Sequence, residues 1–127
     1  MIVLDASVMI ALLDGADAHA AAAREFFASH ASTRLTAHRL TVAETLVQAA
    51  RADRGQEVAT ALTSMGVEHL DTLDDPLALA EVRAASGLRM PDCCVLLSAV
   101  RERASLATFD DRLAEAALAV GVPVVRV

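Results

Sequence analysis

The chain has 127 residues, 55% of them apolar, and carries seventeen acidic against eleven basic side chains for a net charge of −6. The apolar content excludes a disordered chain, because burial on this scale offsets the entropy of ordering, and the net negative charge excludes a nucleic-acid binder held by bulk charge. Every basic residue is arginine, which also excludes Schiff-base chemistry and the lysine of a phosphate-binding loop.

The length suits a single domain over residues 1–127. A short apolar run over residues 1–4, closed by Asp5, reads as a buried strand. Alanine and leucine then dominate up to a break at Asp14-Gly15. An alanine-rich helix is expected over residues 17–31, with Phe26 and Phe27 on its apolar side. A second strand is expected over 34–36 and a helix over 41–52, interrupted at Arg54-Gly55. Another helix follows over 56–65, ended by Gly66.

Residues 67–70 read as a third strand. Asp75-Pro76 opens a helix that runs to about Ser86 and stops at Gly87. Met90-Pro91-Asp92 opens the next, apolar through Val100 and charged at Arg101-Glu102-Arg103. A fourth strand over 106–108, a helix over 111–120 stopped by Gly121, and a last strand over 122–127 complete the chain. Strands alternating with helices imply an α/β fold, a parallel sheet covered by helices on both faces. The nearly pure apolar strands fit a sheet buried on both sides.

The two cysteines, Cys93 and Cys94, are adjacent, which is neither a disulfide framework nor the spacing of a zinc site. They read as small apolar residues of a buried helix. His19, His30, His38 and His69 are scattered and match no ligand motif. No leader opens the chain and no apolar stretch reaches the ~18 residues of a membrane span, so a soluble, cytoplasmic protein is expected.

Ligands of an open parallel sheet bind beyond the carboxyl ends of its strands. Asp5 and Ser7 fall there after the first strand, and Thr108, Asp110 and Asp111 after the fourth. Asp92 lies in the first turn of a helix, and Glu44 lies inside an otherwise apolar helical stretch. Each also has a local reading. Asp5 and one of Asp110 or Asp111 suit helix caps. Asp92 suits a helix dipole, Thr41-Val-Ala-Glu44 matches a capping box, and Ser7 and Thr108 suit turns. Carboxylates drawn together would repel one another, and a hard divalent cation, Mg²⁺ or Mn²⁺, resolves that repulsion. Such an ion would let an anionic protein act on a polyanion.

Val3-Leu-Asp5-Ala-Ser7, Glu44 in a helix, Met90-Pro-Asp92 and Leu106-Ala-Thr108-Phe-Asp110 together resemble a PIN domain, in the order and length of the VapC-type toxins of bacterial toxin–antitoxin pairs. The resemblance covers essentially the whole chain. It implies a PIN-like three-layer fold and a metal-dependent ribonuclease that leaves a 3′-hydroxyl and a 5′-phosphate. Asp5, Glu44, Asp92 and Asp110 would form the acidic cluster, with Asp5, Asp92 and Asp110 on the metal. Ser7 and Thr108 would support the cluster by hydrogen bonding to a carboxylate or a metal-bound water. Glu44 or Asp110 would orient the attacking water or complete a second metal site.

The family pattern assigns Asp110 to the site and leaves Asp111 as the helix cap. Val8 and Met9 stand where the family often carries a further polar residue. The resemblance also implies a cognate VapB-like antitoxin, which lays an amphipathic helix into an apolar groove, and a homodimer. With only three aromatic residues, recognition of RNA shape, as in a structured tRNA or rRNA loop, is expected over base stacking. The alternatives are a non-catalytic PIN-like binding module and a housekeeping PIN nuclease. A receiver-type domain wants a lysine that the chain lacks, and a haloacid-dehalogenase-like phosphatase wants Asp-x-Asp where Asp5-Ala-Ser7 stands.

Overall fold

The computed structural model describes residues 1–71 and 74–127. The elements in chain order are β1 (Ile2–Leu4), α1 (Ala6–Leu13), α2 (Ala20–Ser29), β2 (Leu35–His38), α3 (Arg39–Arg51) and α4 (Gly55–Ser64), followed by β3 (Val67–Leu70), α5 (Pro76–Ser86), α6 (Met90–Glu102), β4 (Ser105–Ala107), α7 (Asp111–Ala119) and β5 (Val124–Val125). The five strands form one sheet in the order β3-β2-β1-β4-β5, and every pairing is parallel. Ile2 lies opposite Leu35 on one side and Ser105 on the other, which fixes the register of the central strand.

The strand period of two sorts the apolar residues into two layers. Ile2, Leu4, Leu35 and Val67 pack with Val8, Met9, Phe26 and Leu62 from α1, α2 and α4. Val3 and Leu106 point to the opposite face and pack with Cys93, Leu96, Leu113 and Ala117 from α6 and α7. The expected three-layer α/β architecture is therefore what the chain adopts. Val3, Leu4 and Leu106 are fully buried, so truncating either leucine to alanine removes about 2–5 kcal/mol.

Several boundaries differ from the sequence reading for local reasons. Helix α1 is apolar on most of its surface, with Ala6, Val8, Met9 and Ala11 buried, so no amphipathic period marks it. The helix expected from residue 17 begins at Ala20 because Asp17 closes a turn: its carboxylate accepts from the His19 N–H at 2.7 Å and its carbonyl from Ala20. Strand β2 extends to His38, paired with Leu70 of β3. Only Val124 and Val125 of the last apolar run are strand, opposite Leu106 and Ala107. Gly87 ends α5 in the left-handed region, φ +68°, a backbone state that costs glycine little.

Helix α5 begins as expected, with Asp75 capping the Leu77 N–H and Pro76 in the first turn. Thr41-Val-Ala-Glu44 is not a capping box: α3 starts two residues before Thr41, capped by the His38 ring, which accepts from the Leu40 N–H at 3.1 Å. Parallel strands all end at one edge, and each helix that follows a strand starts there. Because β1 has β2 on one side and β4 on the other, the chain reverses its direction of travel across the sheet at β1, and the crevice at that switch point is where α/β folds bind ligands.

Candidate active site

Asp5 follows β1 directly and is buried. It caps α1, and its Oδ2 takes two hydroxyl donors, Ser7 at 2.6 Å and Thr108 at 2.8 Å. The same hydroxyls accept in turn: Ser7 Oγ from the Phe109 N–H at 3.0 Å, and Thr108 Oγ1 from the Asp110 N–H at 2.9 Å. This network ties the loop after β1 to the loop after β4. It fixes the Asp5 carboxylate and leaves Oδ1 without a hydrogen-bond partner among the described residues.

Asp110 caps α7, its Oδ1 accepting from Arg112 and Leu113 N–H at 2.8 and 3.1 Å. The expectation that Asp111 would be the cap is corrected: Asp111 is the first residue of the helix proper, where an acid favours the dipole. Asp110 itself caps α7 through one oxygen and also lines the cleft described next. Asp92 sits in the first turn of α6, with the exposed Arg89 guanidinium 3.7 Å from its Oδ2. Glu44 projects from α3 into the same space.

Asp5, Ser7, Glu44, Arg89, Asp92 and Asp110 line one cleft of about 470 Å³ at the strand ends. Thr108 stands behind it, holding Asp5. A smaller neighbouring hollow shares Asp92 and Asp110 and adds Arg112. Partial burial holds the Glu44 carboxyl above its usual range, and the nearby Asp5 and Asp92 charges push the same way, with Arg89 opposing. Burial likewise raises Asp92, reinforced by Asp5 and Asp110 and opposed by Arg89 and Arg112. The cleft therefore concentrates negative charge that the two arginines balance only in part.

All donors of the acidic set are carboxylate oxygens, the hard ligands that Mg²⁺ and Mn²⁺ prefer. Among the described residues, no three of these carboxylates bring oxygens within 4.8 Å of one another. The fit rests instead on the chemistry of the donors, since Mg²⁺ is commonly held by one or two carboxylates and keeps several waters. The residues present thus fit a hydrated hard cation.

Arg112 and Gln48, which no sequence motif marks, both border the acidic space. No motif links His38 to Cys94 either. The structure brings them together with Asp74: His38 Nε2 lies 2.6 Å from Asp74 Oδ2. Both cysteines are buried and unpaired. Burial, with Asp74 alongside, pushes the Cys94 thiol up to about 11, so a free Cys94 is protonated at neutral pH and is no nucleophile.

Fold and cleft together define an α/β protein with an acidic pocket at the switch point of a five-stranded parallel sheet. The model of the PIN domain family matches residues 2–118, and the chain belongs to that family. No curated protein matches the chain in sequence. Among solved structures it is similar to VapC20 of Mycobacterium tuberculosis, described as a sarcin-ricin loop cleaving toxin, at a TM-score of 0.73 and 18% identity over 100% of both chains. It is also similar to FitAcB from Neisseria gonorrhoeae, at a TM-score of 0.71 and 18% identity over 98% of this chain and 96% of the other. A chain of a toxin–antitoxin complex from Klebsiella pneumoniae aligns at a TM-score of 0.69 and 21% identity over 87% of each chain. At these identities the likeness is one of fold.

Proposed function

We propose that this chain, acting as a single PIN domain over residues 1–127, is a metal-dependent endoribonuclease of the VapC toxin type that hydrolyses phosphodiester bonds of RNA. The observation that carries the reading is the convergence of Asp5, Glu44, Asp92 and Asp110, from four separate parts of the chain, on one cleft. Asp5, Asp92 and Asp110 would hold Mg²⁺ or Mn²⁺. Bound there, the ion would lower the pKa of an attacking water and offset the charge that builds on the phosphate.

The chain's own groups then have distinct tasks. Ser7 and Thr108 hold the Asp5 carboxylate by donating to its Oδ2, which leaves Oδ1 available. Glu44, whose carboxyl holds its proton more tightly than usual, orients the water and takes its proton. Asp110 presents the oxygen that its cap bonds do not use. Arg89 stands exposed at the mouth, 3.7 Å from Asp92, where it contacts the substrate phosphate.

Phe26 and Phe27 are buried in the core, and Phe109 is stacked on His19 with ring centroids 4.1 Å apart. The surface thus offers little for base stacking, which favours a structured tRNA or rRNA read by shape. An apolar groove formed with Ile10, Leu13, Ala49 and Val58 shares Glu44 with the acidic cleft. That continuity supports neutralisation by a cognate VapB-like antitoxin, whose amphipathic helix would fill the groove and present a basic side chain to the acids. On the opposite face of the sheet, a groove of about 540 Å³ among α5, α6 and α7, with Val100 and Val120 on its exposed rim, supports a homodimer. Among the described residues no helix is long and apolar enough to cross a membrane.

The test is incubation of purified chain with total bacterial RNA in Mg²⁺, in Mn²⁺ and in EDTA, beside Asp92→Asn. The reading expects discrete fragments with 5′-phosphate ends, lost with EDTA and in the variant. Cleavage that persists in both would remove the metal-site mechanism, and no cleavage under any condition would favour a non-catalytic binding module.

A further inference from the structure

A second cluster of ligand-type side chains lies outside the acidic cleft. His38 ends β2, Asp74 precedes α5 and Cys94 lies in α6. One donor atom from each lies within 4.8 Å of the others, and His38 and Cys94 are buried. The three donors therefore come from three separate segments and meet in a protected place. Their chemistry differs from that of the cleft: an imidazole nitrogen, a thiol sulfur and a single carboxylate form a borderline-soft set, the kind that selects Zn²⁺ over Mg²⁺.

The hydrogen bonds around the cluster show what binding would exchange. Leu40 N–H donates to His38 Nδ1 at 3.1 Å, which leaves the ring proton on Nε2, shared with Asp74 Oδ2 at 2.6 Å. Arg101 donates to the other oxygen, Asp74 Oδ1, at 3.4 Å. We propose that His38, Asp74 and Cys94 form a second cation site, specific for a thiophilic divalent ion such as Zn²⁺. On loading, Cys94 releases its thiol proton to solvent, and the ring proton of His38 moves from Nε2 to Nδ1. The Leu40 N–H then loses its acceptor, and His38 and Asp74 separate slightly to admit the ion. Three protein ligands leave a fourth position for water. Asp74 keeps its contact with Arg101, a neighbour that orients the carboxylate.

The site has a structural consequence. His38 caps α3, the helix that carries Glu44, and Cys94 lies in α6, the helix that carries Asp92. An ion held between them braces two helices that frame the acidic cleft. The proposal does not depend on nuclease activity, since it concerns separate residues and a different class of ion.

Cobalt(II) tests it directly, because a thiolate ligand gives a sulfur-to-metal charge-transfer band that carboxylates cannot produce. The full chain is titrated anaerobically with Co²⁺, then with Zn²⁺. The proposal expects the charge-transfer band at one equivalent, its bleaching by Zn²⁺, and a thermal midpoint raised by Zn²⁺. The band and the Zn²⁺ shift should be lost in Cys94→Ser and kept in Cys93→Ser and Asp92→Asn. His38→Asn, which retains a cap acceptor for α3, should weaken Zn²⁺ binding by ~10-fold or more. No band in the wild-type chain, or a band that survives Cys94→Ser, overturns the site. A band lost in Cys93→Ser or Asp92→Asn would place the ion elsewhere and overturn it as well.

Discussion

Asp5 Oδ2 is the best-held atom of the cleft, with hydroxyl donors from Ser7 and Thr108 at 2.6 and 2.8 Å. A hydrogen bond to a charged acceptor contributes about 1.5–3 kcal/mol. Thr108→Ala removes that donor and also orphans the Asp110 N–H, so urea denaturation should show a loss of about 1–3 kcal/mol. A loss under a few tenths would mean that solvent replaces the hydroxyl. Glu44 gives the opposite sign. Its folded-state pKa is raised by burial and by Asp5 and Asp92, so ionised Glu44 opposes folding. That cost is present above the folded pKa and disappears as pH falls below the unfolded value. In divalent-free buffer, Glu44→Gln should therefore be more stable than wild type at about pH 7.5, by a few tenths of a kcal/mol for so open a group. The gap should close by about pH 4. Comparison of urea midpoints at the two pH values checks it, and a constant gap would place the effect outside Glu44 ionisation.

Asp110 joins two levels, since one carboxylate caps α7 and lines the cleft. The two roles separate by substitution. Asp110→Asn keeps a cap acceptor and removes the charge, whereas Asp110→Ala loses both. Loss of a cap costs about 1 kcal/mol. Thermal melting should rank Asn close to wild type and Ala below it, while RNA cleavage fails in both; an active Asp110→Ala would limit the residue to capping. The sequence announced Asp110 and Thr108 because both lie where a short buried strand ends. Glu44 is open there between capping box and site, since Thr41-x-x-Glu44 has the spacing of the first and an acid inside an otherwise apolar helical stretch suits the second. The true cap, His38, was not legible because histidine is not a usual cap residue, and only the path of the chain out of β2 sets its ring against Leu40. The grouping of His38 with Asp74 and Cys94 was equally hidden, because it joins three segments that no local spacing connects.

For the molecule as a whole, alternating strands and helices were enough to read a parallel sheet with helices on both faces. Periodicity cannot specify the strand order, because it does not say on which side of β1 the chain continues after β3. That choice puts β4 beside β1 and so sets Thr108 and Asp110 against Asp5. The acidic cleft is thus a product of topology. Its charge follows from the same cause, since the helices that begin at this edge bring acids from four parts of the chain to one place. The proposed nuclease requires those carboxylates to form a single cation site. Calorimetric titration of Mn²⁺ into the wild-type chain and into Asp92→Asn tests this most directly. Saturable binding in the wild type, weakened ~10-fold or more in the variant, is the predicted result. Equal binding in both, or none in either, would contradict it.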